Sequence, residues 1–353
     1  MTAPPPPITG RPIRFALVGC GRISGKHLEA FARHSGQAEV VAVCDTEPAA
    51  LGAAAERTGA RGFDSLDRLL AGSDADVVVL CTPSGLHAEQ AVRAAEAGRH
   101  VVTEKPMATR WQDGLRMVHA CDRAGVRLFV VKQNRRNPTL QLLKRAVTQG
   151  RFGRILSVQV NVFWNRPQAY YDSAPWRGTW EFDGGAFMNQ ASHYVDLLDW
   201  LVGPVATVQA FTATLARNIE VEDSGVAIFR WRSGALGAMN VSMLTHPKNL
   251  EGSITVIGET GTARVGGVAV NRIEHWAFAT PHADDALVEQ ANYDTESVYG
   301  FGHAGYYENV LAALRGEAEP DTDGREGLKS LELLVGIYVS ARDGRPVGLP
   351  LEF

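Results

Sequence analysis

The stretch Ile13-Arg14-Phe15-Ala16-Leu17-Val18-Gly19-Cys20-Gly21-Arg22-Ile23-Ser24 decides the fold. Ile13–Val18 is a short, nearly continuous apolar run, as expected of a strand buried on both faces of a parallel sheet. It ends in GxGxxS, one position from the GxGxxG dinucleotide fingerprint. Gly19 permits the tight turn, and Gly21 lets a pyrophosphate approach the backbone with no Cβ in the way. The helix that follows offers free N–H groups and the positive end of its dipole. Arg22 and Ile23 belong to the same turn. Ser24 replaces the third glycine, which usually lets helix and strand pack closely. The next strand ends at Asp45, 21 residues beyond Ser24. A carboxylate there bonds the ribose hydroxyls of NAD and repels the 2′-phosphate of NADP. Thr46 and Glu47 follow, with no arginine to receive that phosphate. The expected cofactor is NAD, and a glycine-rich turn without ligand is the alternative.

Further strand-like runs follow at Val40–Cys44, Val77–Cys81, His100–Thr103 and Arg127–Val131, with helical stretches between them. The alternation predicts βαβ units, hence an α/β chain opening with a doubly wound parallel sheet of Rossmann type. Past residue 150 the pattern changes. Ile155–Trp164, Val205–Leu215, Ser224–Trp231, Ala235–Met243 and Ser253–Ile257 read as longer strands. Hairpins are expected at Arg232-Ser233-Gly234 and across Gly258–Thr262. This half should form a large open, mostly antiparallel sheet. One helix interrupts it at about Gly184–Leu201, closed by Gly203-Pro204. Two helices, His303–Leu314 and Glu326–Ala341, end the chain, and Thr280–Tyr299 reads as a long polar loop. The expected division is a disordered Pro-rich leader over residues 1–12, a cofactor domain over 13–135 and a substrate and oligomerisation domain over 136–353. The terminal helices are expected to pack back on the cofactor domain.

The 353 residues carry 35 basic and 39 acidic side chains, a net charge of −4. That balance gives no strong pull toward nucleic acid or anionic lipid. No apolar run is long enough for a membrane span, and Met1–Pro12 lacks the apolar core of a signal peptide. Cys20, Cys44, Cys81 and Cys121 include no CxxC pair, which argues against a disulfide framework or a zinc site. Free thiols suit a reducing compartment, so a cytoplasmic location is expected.

Three clusters carry chemistry. The third strand runs into Thr82-Pro83-Ser84-Gly85-Leu86-His87, and the fourth into Glu104-Lys105-Pro106. Ligands bind open α/β sheets at these carboxyl ends. Lys105 is therefore either a substrate-facing ammonium or a surface lysine paired with Glu104. The third cluster is Gly184-Gly185-Ala186-Phe187-Met188-Asn189-Gln190-Ala191-Ser192-His193-Tyr194-Val195-Asp196. In one continuous helix Asn189 and His193 would share a face, and Asp196 could orient the His193 imidazole. Gly184-Gly185 would allow close approach to a ligand. His193 is either a reactive imidazole or a satisfied core residue. An H-x-x-D-x-x-D metal site lacks further clustered ligands, so no metal is expected.

GCGRIS, CTPSGLH, EKP and GG-x-x-x-N-Q-x-x-H-x-x-D, in that order, resemble the Gfo/Idh/MocA oxidoreductases over most of the chain. Within that family KQNRRNP (Lys132–Pro138) and WNRPQAYYDSAPWRGTW (Trp164–Trp180) resemble the UDP-N-acetylglucosaminuronic acid 3-dehydrogenases. The resemblance implies NAD-dependent oxidation of a UDP-sugar 3-hydroxyl in the synthesis of bacterial surface polysaccharides (O-antigen, lipopolysaccharide), in a homo-tetramer or homo-dimer. Lys105 and His193 match the catalytic positions, with His193 as base and Lys105 stabilising the alkoxide, or the roles exchanged. Asn189 stands where the family usually has Asp, so it would orient substrate, beside Arg135, Arg166 and Tyr170. The cofactor contacts implied beyond the glycine turn are Thr82, Pro83, His87, Glu104, Gln133, Trp176 and Arg177. Another sugar or polyol dehydrogenase, such as an inositol dehydrogenase, and a non-catalytic dinucleotide sensor are the competing readings.

Overall fold

The computed structural model describes residues 5–352 except 296, 297 and 299. They form two compact units, one running to Lys132 and including His303–Leu331, the other made of Gln133–Gly302 and the chain after Leu331.

The first unit is built on six parallel strands. These are β1 (Ile13–Val18), β2 (Ala38–Cys44), β3 (Arg61–Phe63), β4 (Val77–Leu80), β5 (His100–Thr103) and β6 (Leu128–Val130), in the order β3-β2-β1-β4-β5-β6. The order reverses direction at β1, where β2 flanks it on one side and β4 on the other. That reversal is the crevice at which open α/β sheets take ligands. β3 is too short, and too exposed at Arg61 and Gly62, to carry an apolar signal of its own. The helix Ser24–Arg33 leaves β1, and Phe31 stacks 4.6 Å from both Phe15 and Tyr307. Tyr307 lies on the helix His303–Leu314, which buries Tyr306, Val310, Leu311 and Leu314 in the same core as Ile13, Leu17 and Val79. Part of the expected leader is ordered against this unit. Ile8 donates its N–H to Leu314 O at 2.9 Å, and Arg11 forms a two-pronged ion pair with Asp76.

The second unit has eight strands. β7 (Ile155–Phe163), β8 (Val205–Ala213), β9 (Ser224–Trp231), β10 (Leu236–Ser242), β11 (Glu251–Gly258), β12 (Gly261–Gly266), β13 (Arg272–Phe278) and β14 (Val347–Gly348) lie in the order β13-β12-β11-β7-β10-β9-β8-β14. All pairings are antiparallel except β7 with β10. Alternate residues such as Val158, Val160, Ala227, Phe229, Met239 and Val241 are buried on one face. On the opposite face Phe211, Val226, Ile228 and Leu236 are exposed. β13 is hard to see in the sequence because His275 breaks the alternation begun by Arg272, Ile273 and Glu274, where the pairing with β12 also shifts register. The described part of Thr280–Tyr299 is not all loop, since short helical turns occupy Ala283–Leu287 and Val288–Ala291. Its last residues, 296, 297 and 299, fall outside the described set.

The expected helix Gly184–Leu201 divides in two. A π-helical turn spans Ala186–Gln190, and an α-helix spans Ser192–Val202, with Ala191 between them. The wider turn shifts the helical phase, so Asn189 and His193 do not share one continuous helix face.

Candidate active site

In the first unit, Gly19 has φ +90°, and a Cβ there would lie 2.7 Å from the Cys81 carbonyl carbon. Only glycine fits where the turn crosses β4. A Cβ on Gly21, by contrast, would meet nothing within 4 Å, so the space beside it is open. Asp45 receives the Cys20 N–H at 2.6 Å and the Glu47 N–H at 2.8 Å. Its carboxylate is thus fixed beside the glycine turn. Ser24 is buried and donates its hydroxyl to Gly21 O at 2.6 Å, so the departure from the third glycine adds a bond to the turn. No side chain caps the helix Ser24–Arg33, although its Ser24 and Lys26 N–H groups donate to Gly21 O at 3.2 Å and Ile23 O at 2.9 Å. These features fit a bound dinucleotide. Arg22 is exposed at the same turn and Ile23 half-buried.

Two expected cofactor contacts prove to be internal braces. His87 is buried, with its ring nitrogens 2.9 Å from the carbonyl oxygens of Pro106 and Thr82. It ties the Thr82-Pro83 turn to the EKP turn, and burial holds its pKa below the usual imidazole value. Glu104 is buried as well. His27 Nε2 lies 3.0 Å and His303 Nε2 3.5 Å from its Oε1, and the Lys105 N–H donates to Oε2 at 3.0 Å. Burial alone would raise its pKa, but the hydrogen bonds from His27 and His303 hold it well below the carboxylate range. Tyr307 completes the cluster, with its hydroxyl 2.6 Å from His27 Nδ1. Glu104 therefore fixes the backbone at Lys105, whose side chain is half-buried. Among the described residues, His27, Glu104 and His303 form the group whose ligand atoms are close enough to hold a metal. His27 and Glu104 are bonded directly to each other, so the carboxylate is already satisfied without an ion.

In the second unit, His193 is buried, and its Nε2 lies 2.9 Å from Gln133 Nε2. The Gln133 side-chain amide thus holds the imidazole in place through Nε2. Both Asp196 oxygens accept from Arg135, from Nε and Nη2 at 2.7 Å each. Arg135, expected to meet substrate, instead forms a buried two-pronged pair that pins the helix Ser192–Val202. Asn189 donates to Asp183, whose other oxygen receives the Gly178 N–H.

Four side chains do converge. Arg166 donates through Nε to Gln190 Oε1 at 2.8 Å. Gln190 Nε2 and Arg177 Nη1 both donate to the Tyr170 hydroxyl, at 3.0 and 2.6 Å. The two guanidinium carbons lie 5.5 and 4.4 Å from the Tyr170 ring centre, and Arg177 also sits 4.4 Å from that of Trp176. Two half-buried cations around one aromatic ring make a site for anionic groups. Arg177 and Trp176, expected at the cofactor, belong to this arrangement. Gln190, to which the motif assigns no role, joins the two halves of the cluster.

Gly184-Gly185 does allow a close approach, but the neighbour is the protein itself. A Cβ on Gly185 would lie 1.7 Å from Glu222 Oε2. Glu222 and Tyr338 drew no functional reading from the sequence.

The model of the oxidoreductase family's NAD-binding Rossmann fold matches residues 13–132, and that of the family's C-terminal alpha/beta domain matches 144–349. The chain belongs to the Gfo/Idh/MocA oxidoreductase family. Its first unit is thus the family's NAD-binding domain. A crystal structure of the WlbA dehydrogenase from Bordetella pertussis, in complex with NADH and UDP-GlcNAcA, is 69% identical, with a TM-score of 0.96, over 98% of this chain and all of that one. The D-apiose dehydrogenase of Paraburkholderia graminis is 30% identical over 97% of this chain and 91% of its own length. The inositol 2-dehydrogenase of Rhizobium meliloti is 26% identical over 96% and 99%. No described helix is long and apolar enough to cross a membrane.

Proposed function

We propose that this oxidoreductase uses NAD to oxidise the 3-hydroxyl of UDP-N-acetyl-D-glucosaminuronic acid to the 3-keto sugar, in the assembly of bacterial surface polysaccharide. The observation that carries the reading is the 69% identity, across nearly the whole chain, to a WlbA dehydrogenase holding NADH and UDP-GlcNAcA. The paired guanidiniums at Tyr170 support it, because this substrate brings a carboxylate and two phosphates. A free polyol such as inositol has neither.

Gly19, Gly21 and Asp45 would hold the dinucleotide. NAD supplies the hydride acceptor when bound. The protein's own residues have the hydroxyl proton to remove and the developing alkoxide to stabilise. His193, held by the Gln133 amide, would serve as the base. Lys105, its backbone fixed by Glu104, brings the positive charge for the alkoxide. A lysine of depressed pKa could exchange roles with it. Arg166, Tyr170 and Arg177 would hold the anionic groups, and Asn189 a sugar hydroxyl.

The same reading includes self-association as a homo-tetramer or homo-dimer through the open sheet face. Phe211 is 70% exposed, Ile228 52% and Leu236 54% on one face of neighbouring strands, and apolar area of that kind is costly to leave in water. A cytoplasmic location follows from a substrate and cofactor of this kind and is supported by four unpaired cysteines. The deciding assay compares NADH formation with UDP-GlcNAcA and with myo-inositol, and locates the new carbonyl by NMR. Turnover of the nucleotide sugar with the carbonyl at C3 is expected. Turnover of inositol alone would replace this reading with the polyol one.

A further inference from the structure

Every helix begins with N–H groups that lack intrahelical partners. The π-turn Ala186–Gln190 satisfies three in a row from two residues distant in sequence. The Ala186 N–H donates to the Glu222 backbone carbonyl at 3.1 Å. The Phe187 N–H donates to Glu222 Oε1 at 3.0 Å. The Met188 N–H donates to the Tyr338 hydroxyl at 3.0 Å, and that hydroxyl donates on to Glu222 Oε1 at 2.8 Å. Glu222 is buried, and Gly185 leaves its carboxyl just enough room. The next two residues of the turn are Asn189 and Gln190, and His193 follows in the helix after it. Wide turns of this kind are rare and concentrate at functional sites, and here the turn is built around a carboxyl that nothing else in the site uses.

We propose that Glu222, together with Tyr338, is a positioning residue: it caps the π-turn and so sets where Asn189, Gln190 and His193 stand toward the sugar. This rests on the UDP-sugar reading for its kinetic consequence but not for its structural one. Its effect passes through the backbone N–H groups of Phe187 and, by way of Tyr338, Met188. Asp223, the next residue, braces the neighbouring loop in the same manner, receiving the N–H groups of Leu215, Ala216 and Arg217 at 2.9–3.0 Å. Arg217 in turn donates to Arg166 O at 2.7 Å. The Glu222-Asp223 pair thus braces two segments that carry substrate-facing side chains.

The test uses the full chain with Glu222→Ala, Tyr338→Phe and Glu222→Gln. Glutamine keeps an oxygen for Phe187 and Tyr338, and alanine does not. Amide exchange of the Phe187 and Met188 N–H groups should accelerate by about tenfold or more in Glu222→Ala, and that of Met188 likewise in Tyr338→Phe. Glu222→Gln should restore protection. Equal protection in all four proteins would overturn the proposal, whether or not any sugar is turned over. In kinetics with UDP-GlcNAcA, Glu222→Ala and Tyr338→Phe should lose about 10–100-fold in kcat/KM. The Kd for NAD should stay at the wild-type value, and Glu222→Gln should recover most of the loss. A parallel loss of NAD binding would mark Glu222 as a general stability residue and overturn the proposal. A wild-type protein inert toward UDP-GlcNAcA would defeat the substrate reading, with the exchange measurement still deciding the role of Glu222.

Discussion

Individual residues divide into those whose chemistry the sequence displayed and those whose partners it concealed. Gly19, Gly21 and Asp45 were legible because the fingerprint has fixed spacing and each position has one physical task. Removing the Asp45 carboxylate should weaken NAD binding about 10–100-fold, the cost of charge-assisted bonds to two hydroxyls. It should do so without a matching loss for NADP, as measured by titration calorimetry. His193→Ala and Lys105→Ala should each lower kcat by about 10²–10⁴-fold, followed as NADH formation, with thermal stability little changed. Near-wild-type turnover would remove that residue from the chemistry. The internal bonds of Arg135 and His87 were not legible, because an arginine or histidine beside a motif looks the same whether or not it has a buried partner. Only the fold brings Asp196 to one and the Pro106 carbonyl to the other.

At the scale of elements, long apolar strands were easy to read, and β9 and the helix His303–Leu314 have the bounds their sequences suggest. β3 and β13 stayed hidden because pairing partners, rather than their own composition, make them strands. The π-turn was invisible for a similar reason. Gly184 to Leu201 has acceptable helical spacing throughout, and the bonds that meet the π-turn come from the Glu222 carboxyl in the loop just before β9. Burial pushes that carboxyl up to about 7, with Tyr338 and the Phe187 N–H opposing the rise and Asp223 adding to it. A carboxyl that titrates higher in the folded than in the unfolded chain stabilises the fold below its ordinary pKa. That stabilisation is lost as pH climbs through about 7. Urea unfolding of wild type minus Glu222→Gln should therefore fall by about 3 kcal/mol between pH 4.5 and 7 and be flat above. Taking the difference removes His87, His100 and His303, whose lowered pKa values act in the opposite sense. A difference independent of pH would mean that the carboxyl titrates normally.

For the whole molecule, the two-part plan came from the switch between strand-helix alternation and long strands. The terminal helices were expected back on the cofactor domain; the first unit includes His303–Leu331, and the chain after Leu331 belongs to the second, a split within the last helix that tertiary packing sets and the sequence did not show. The exposed apolar face of the large sheet bears on assembly. Replacing Phe211 and Ile228 together by Asp should lower the mass measured by sedimentation, while NAD binding in the first unit persists. An unchanged mass would place the contact elsewhere.

Gly185 and Glu222 occupy one volume between them, so neither can change size alone. Gly185→Ala by itself should damage the protein severely, whereas the same methyl introduced alongside Glu222→Ala should be far better tolerated, a strong departure from additivity. Evolutionary drift at either site would then be permitted only in tandem, and a relative with a bulkier residue at 185 should have surrendered the acid at 222.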